Sequence, residues 1–213
     1  MTERIGLSIG ATNFAAVASR GATATRRSVL TLYRHRPPEL GVPFQNPDID
    51  RRGQVLTDFV DRVGNPVRLV ASDGSAHRAD ALVADALCAL MYAIADGLPP
   101  AQPATVAFPA HWSATAVAAL RRALAALPEW SAAAGAVPLM PDAAAGLNAL
   151  AHQPGLPARG VVALCDFAGT GTSVTLADAG DGLRPIGPTA PHRPLRRSDR
   201  PRVAQTRSRR RSR

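Results

Sequence analysis

Two stretches of this sequence place the same residue types around a tight turn. The first runs from Ile5 to Phe14 (IGLSIGATNF) and the second from Val162 to Ser173 (VALCDFAGTGTS). In each, an apolar run enters a turn of glycine and small hydroxyl residues, and a second run leaves it. Such turns aim several backbone N–H groups into one concavity, which suits anionic oxygens. Glycine lets a ligand approach the backbone, and threonine hydroxyls add donors. Gly10, Ala11, Thr12 and Asn13 in the first turn, with Gly169, Thr170 and Gly171 in the second, are the candidate phosphate-contacting residues. Either turn alone is also an ordinary β-hairpin. No G-x-x-x-x-G-K-[ST] loop is present, the glycines do not fit a dinucleotide fingerprint, and both turns lead into strands rather than helices.

The elements that would hold these turns follow from the hydrophobic spacing. Ile5–Ile9 and Phe14–Ala18 read as strand, turn, strand, and Val29–Tyr33 as a third strand. The proline-rich stretch Arg34–Arg52 reads as a long loop, and Val67–Ala71 as a strand entering a hairpin turn at Ser72–Ser75. Leu82, Val83, Ala86, Leu87, Leu90, Met91 and Ile94 recur at steps of three and four, predicting a helix over roughly 79–96 closed by Gly97 and Pro99. Thr105–Phe108 is a strand stopped by Pro109. Ser113 is a candidate N-cap for a helix with its stripe at Val117, Leu120, Leu124 and Leu127. Val137–Met140 is a short strand before an alanine-rich helix from Asp142 to about His152, and Gly160–Cys165 and Ser173–Ala177 close the patterned region. Helices alternating with buried strands predict an α/β layer architecture with a mixed sheet and flanking helices.

Charge bears on partners. From Pro191 to Arg213 ten Arg stand against one acid, Asp199, which accounts for the whole net charge of +9; the 15 Arg and 15 acids before it cancel. The body is electrostatically ordinary, with a basic, disordered tail expected over 186–213. Ten Arg would give salt-sensitive, sequence-independent binding to nucleic acid, but without interleaved aromatics for base stacking. All 25 basic residues are Arg and none is Lys. Cys88 and Cys165 sit in apolar patterns and read as buried thiols, with no metal-ligand spacing around them. The absence of a signal-type run or a membrane-length apolar stretch makes a cytoplasmic protein the default. His111 and Trp112, at a helix entry, read as packing residues. His35, His77, His152 and His192 fall in loops or at helix edges, outside any recognisable catalytic set.

Three further features narrow the reading. Thr105 to Ser113 (TVAFPAHWS) resembles the TVPAYF strand of the seventy-kilodalton heat-shock chaperones, the DnaK-like branch of the actin-like ATPase superfamily. Pro141 to Ala145 (PDAAA) resembles their EPTAAA connecting helix, and Thr12-Asn13 matches their first phosphate loop. The segments occur in the family's order across about residues 3–180. The resemblance implies the first lobe of an actin-like, ribonuclease H-like ATPase domain over residues 1–185, binding ATP or ADP with magnesium between two lobes. It implies a first phosphate loop at Gly10–Asn13 and a second at Gly169–Gly171. It also implies a carboxylate, Asp166, near the metal's water shell; a strand-end acid satisfying turn amides is the alternative for Asp166.

The departures from that family concern charge. Ser8 stands where it has a metal-facing Asp, Met140 where it has Glu, and Ser173 where it has a second acid. Its γ-phosphate lysine has no counterpart; Arg68 lies in roughly the right region, but a guanidinium does not replace an ammonium in a tight site. Phosphoryl transfer depends on positioned charge, so binding is expected to survive better than hydrolysis. The second lobe and peptide-binding domain are expected to be missing. Residues 190–207, given GC-leaning codons and read one base out of frame, can spell a string similar to the family's GGEDFD segment, so a frameshift near residue 189 is one expectation. A protein partner or self-association over an exposed lobe face, an inactive gene product, and a tail-borne nucleic-acid association are the alternatives.

Overall fold

The computed structural model describes residues 4–50, 52–95, 97, 104–131 and 137–192. The basic tail inferred from the sequence lies, beyond His192, outside the described residues.

The chain opens with three antiparallel strands, β1 (Ile5–Ser8), β2 (Asn13–Ala18) and β3 (Thr23–Arg27). Alternation in β2 buries Phe14, Ala16 and Ala18 on one face, as a half-buried strand requires. Strand β3 (TATRR) carries no buried residue, so hydrophobic period could not reveal it; pairing to β2 defines it. Next come β4 (Leu30–Leu32), β5 (Glu39–Leu40) and β6 (Gln54–Leu56), which form a small three-stranded sheet, then the hairpin β7 (Leu69–Val70) and β8 (Ala76–His77). The turn between β7 and β8 needs Gly74 at φ 84°.

Helix α1 (Ala79–Ile94) buries the predicted stripe against the first sheet and ends two residues before the position its period predicts. Strand β9 (Thr105–Phe108) follows, then α2 (Ala114–Ala125), whose Ser113 hydroxyl accepts from the Ala116 amide at 3.2 Å as expected of an N-cap. After the short α3 (Pro128–Ser131) come β10 (Leu139–Pro141) and α4 (Asp142–Ala151). The first sheet has the order β10-β9-β1-β2-β3, with β9 and β10 parallel to β1 and the hairpin antiparallel to it. Its core includes Leu7, Ile9, Phe14, Phe59, Leu87, Leu90, Leu120 and Trp130.

The second sheet is built on β11 (Val161–Ala168) and β12 (Gly171–Asp178). Both are longer than their apolar runs, so the connecting turn shrinks to Gly169-Thr170. Strands β13 (Arg184–Pro185) and β14 (Ala190–His192) pair with the far edge of β12. The sequence pattern stops near Asp181 and predicts a disordered tail from 186. The strands continue to His192 because backbone pairing needs no hydrophobic period. A small second core of Leu147, Ala177 and Leu183 fastens α4 to this sheet.

The two cysteines differ from expectation. Cys165 is exposed, because the face of β11 that carries it has nothing packed on it. Cys88 is half-buried, its Sγ accepting from the Trp130 indole N–H at 2.9 Å. Burial pushes its thiol up to about 12, so it stays protonated and unreactive at neutral pH. No helix among the described residues is long and apolar enough to cross a membrane. Truncating Leu87, fully buried on α1, to Ala should cost about 2–5 kcal/mol and lower the melting temperature by roughly 5–20 °C, which a thermal denaturation series would read out.

Candidate functional site

The first turn is shaped by what its carbonyls do. The Ile9 amide donates to the Ala107 carbonyl at 2.9 Å, carrying the β1–β9 pairing up to the turn. The Ser28 hydroxyl donates to the Gly10 carbonyl at 2.7 Å, and the Ser28 amide to the Thr12 carbonyl at 2.9 Å. These bonds turn the carbonyls toward the protein. Among the described residues, the amides of Gly10, Ala11 and Thr12 meet no acceptor. Gly10 is required sterically: a Cβ there would lie 2.7 Å from the Asn13 carbonyl oxygen.

The second turn meets the first. A Cβ on Gly169 would overlap the Thr12 hydroxyl, so the two turns are in contact and only glycine fits at the junction. The amides of Gly169 and Thr170 likewise meet no acceptor among the described residues. Two hairpin turns separated by about 150 residues therefore place their free donors at one locus, which is the arrangement that receives an anion of several oxygens.

Clefts lie on both sides of this junction, of about 490 Å³ and about 470 Å³. Gly10, Ala11, Asp142, Asp166 and Ala168 line both. Thr170 and Gly171 line the first; Thr12, Asn13 and Gly169 line the second. Each of the seven candidate phosphate residues, and Asp166, thus borders at least one of these two clefts. Cavities of similar size occur beside Tyr33 and His77 and beside α1. Neither is bordered by a glycine-rich turn whose amides lack acceptors, so chemistry rather than volume selects the site.

Asp142 is the site residue that sequence reasoning passed over. It stands at the first position of α4, where Asp is a common way to meet helix-terminal amides, and in the sequence it is one letter of the PDAAA helix motif. Its Oδ1 accepts from the Ala143 amide at 2.6 Å and from the Ala110 amide at 2.8 Å, tying α4 to the β9–α2 connection. Among the described residues Oδ2 takes no hydrogen bond. Burial holds the Asp142 carboxyl above the usual carboxylate range, and the Asp166 charge adds to this; the two amides and His111 oppose it. The signal that could have found Asp142 is its place two residues after Met140, where the resembled motif keeps its acid.

Of the remaining sequence candidates, Ser8 borders the second cleft and Ser173 the first. Ser173 is paired with Asp166 across the hairpin. Trp112 stacks on Phe108 with ring centroids 6.4 Å apart and packs on the core, as expected of a packing residue. His111 instead is exposed at the mouth of the first cleft. Arg68 is exposed and borders neither cleft.

Two measurements test this geometry. Gly169→Ala should force the turns apart and destabilise by about 1–3 kcal/mol, the usual cost of overpacking. Adding Thr12→Gly should restore much of that loss, a coupling that a double-mutant cycle of thermal melts would show. An acid with a raised folded pKa makes the native state bind more protons than the unfolded one above pH 3.8, so stability falls as pH rises through that window. Asp142→Asn keeps an Oδ1 acceptor for both amides and removes the charge. Relative to the parent, it should gain stability as melts are taken upward from pH 4, and level off once Asp142 is ionised in the folded parent.

No protein-family model matches the sequence, and no curated protein matches it. Solved structures do. MreB 5 of Spiroplasma citri bound to AMPPNP superposes with a TM-score of 0.54 at 15% identity, over 91% of this chain and 53% of that one. A MamK double helical filament superposes with a TM-score of 0.51 at 16% identity, over 89% of this chain and 53% of that one. The chain spans about half the length of these structures. At such identities the likeness concerns fold alone, and it agrees with the architecture built above: this chain has the fold of about half of an actin-like structure.

Proposed function

We propose that the chain is a nucleotide-binding module that holds ATP or ADP by its phosphates and hydrolyses ATP very slowly or not at all. The observation that carries this is the contact of the two turns, which gathers the free amides of Gly10, Ala11, Thr12, Gly169 and Thr170 at one locus. The MreB 5 structure of the same fold is bound to AMPPNP, which supports a nucleoside triphosphate over a generic anion.

The carboxylates fit a hydrated magnesium ion. Asp142 has one oxygen fixed by two amides and the other unengaged among the described residues, and Asp166 is near enough to raise its pKa. Asp142 and Asp166 would hold such an ion through its water shell, and its charge would relieve their repulsion. Bound there, magnesium would neutralise phosphate charge. The protein's part is to orient: Asp142 is positioned by the backbone of Ala110 and Ala143, and Asp166 by its strand pairing with Ser173. What turnover further needs is a cation aimed at the γ-phosphate, and the sequence has no lysine while Arg68 borders neither cleft. Slow or absent hydrolysis follows.

A DnaK-like lineage, with a cytoplasmic, chaperone-related role, rests on the residues of 105–113 and 141–145 alone; suppression of aggregation of a denatured protein, dependent on ATP, would support it. The Arg-rich sequence from 193 onward favours a second reading, salt-sensitive association with nucleic acid. DNA retention at low salt that vanishes on removing 193–213 would establish it.

Thermal unfolding with and without millimolar Mg-ATP tests the main reading. A tenfold excess over Kd should add about 1.4 kcal/mol, a rise of roughly 3–6 °C for a chain of this size. ADP should act similarly, and Gly10→Ala should abolish the shift. Asp166→Asn should weaken the magnesium-dependent part while slightly raising the unliganded melt at neutral pH, because it removes the charge facing Asp142. A cooperative melt that no nucleotide moves would overturn the proposal.

A further inference from the structure

The cavity beside Tyr33 and His77, of about 500 Å³, shares no lining residue with the two clefts of the glycine turns. All of its walls come from the stretch 32–77, which ties itself together around it. The Tyr33 hydroxyl accepts from the Asp50 amide at 3.0 Å and donates to the Asp50 carbonyl at 3.3 Å, pinning the loop before β6. Gly53 makes room for this: a Cβ there would lie 2.7 Å from the Tyr33 ring and overlap the Thr31 methyl. From the opposite wall, the Ser72 hydroxyl donates to Gln54 Oε1 and joins the β7–β8 turn to β6.

The charged groups of this cavity divide into those already engaged and those left open. Arg36 stacks on Tyr33 with its Cζ 3.6 Å from the ring centroid, and donates to Glu39 at 3.3 Å and to the Asp48 carbonyl at 2.6 Å. Asp50 Oδ1 accepts from the Arg52 amide at 2.7 Å. Asp73 Oδ1 accepts from the Ser75 hydroxyl at 2.6 Å and from the Ser75 amide at 3.0 Å. These two bonds hold the Asp73 carboxyl below the usual carboxylate range, and the Arg34 charge adds to this. The Ser75 hydroxyl has one proton, and an ionised Asp73 can only accept it. In the 2.7 Å bond between Ser75 Oγ and His77 Nε2 the ring nitrogen is therefore the donor. Three groups stay open. Among the described residues, His77 Nδ1 has no partner, and the guanidinium groups of Arg34 and Arg52 donate no hydrogen bond and make no ion pair.

We propose that this cavity is a second ligand site, which takes a small organic phosphate monoester held by Arg34 and Arg52. Guanidinium forks match phosphate oxygens two at a time. Two open arginines balance the charge of about −1.5 to −2 that a phosphate monoester carries at pH 7, whereas a single carboxylate would leave one of them unmatched. The volume exceeds what the phosphate alone needs and lies in the range of small-ligand pockets. Leu32 and the Tyr33 ring border the remainder and suit an apolar body. His77 Nδ1 is a lone pair in the neutral ring and becomes a third donor only on protonation. Histidine gains that charge between about pH 8 and 5, so a bound dianion and the proton favour each other. The other charges around His77 are Arg34, His35 and Arg36 after β4, Asp50 and Arg52 before β6, Asp73 on its own hairpin, and Asp85 on α1. Arg78, next in sequence, is engaged by Asp80 at 3.0 Å.

Calorimetric titration of the full chain with phenyl phosphate tests the site. The parent should bind it, and Arg34→Gln and Arg52→Gln should each weaken binding at least tenfold. Both positions are exposed, so the melting temperature should hardly change. Saturating Mg-ADP should leave the phenyl phosphate affinity as it was, because the two sites share no residue. The part given to His77 is read with sulfate, a dianion whose charge does not change above pH 5. Sulfate should bind more tightly at pH 6 than at pH 8 in the parent, and equally at both in His77→Gln, which keeps an N–H donor for Ser75. A parent that binds no phenyl phosphate overturns the proposal. So does binding that ignores both arginine substitutions, which would place the ligand elsewhere. Sulfate binding that ignores pH in the parent overturns the part given to His77. The arginine results do not depend on whether ADP binds, so this site and the nucleotide reading stand or fall separately.

Discussion

The contact between Thr12 and Gly169 is the constraint on which the rest of this molecule turns. Neither hairpin turn distinguishes itself alone, since a loop with a few free amides is common and water satisfies it. Placed against each other without a Cβ between them, the two turns become one donor array bordered by two carboxylates. The steric requirement is sharp because any side chain at residue 169 would occupy the space of the Thr12 hydroxyl.

Helix α4 is what holds that contact in place. It begins at Asp142 directly after β10, a strand of the first sheet, and its Leu147 belongs to the small core of the second. Asp142 is thus a structural tie and a site residue at once. One carboxylate oxygen joins α4 to the β9–α2 connection, and the other is left for the cleft. Its cost, a half-buried charge near Asp166, is the sort of local destabilisation that a bound cation would relieve. The second sheet is held more lightly than the first, by three buried residues against a large core.

The sequence showed most of the elements and their order because the first sheet and α1 are strongly patterned. Leu82 to Ile94 could hardly be anything but one face of a helix, and the Ser113 cap behaved as its chemistry demands. Strands β3, β13 and β14 escaped notice because they bury almost nothing, and backbone pairing leaves no side-chain period. The apolar run containing Cys165 predicts a buried thiol, whereas only one face of β11 has α4 beneath it and Cys165 lies on the other. The finer kinship read from 105–113 and 141–145 rests on short motifs, while the fold itself is shared by structures only 15–16% identical.

What the sequence determined by itself was the chemistry available: two glycine–threonine turns, one acid at the end of β11, no lysine, and a positive charge confined to the last residues. Those are properties of residue type and order. Tertiary structure decided which of these groups meet. It placed Thr12 against Gly169, turned the carbonyls of Gly10 and Thr12 inward through Ser28, and brought Asp142 beside Asp166. The reason is that such contacts join residues far apart in the chain, and only the packing of α4 between two sheets fixes their distances.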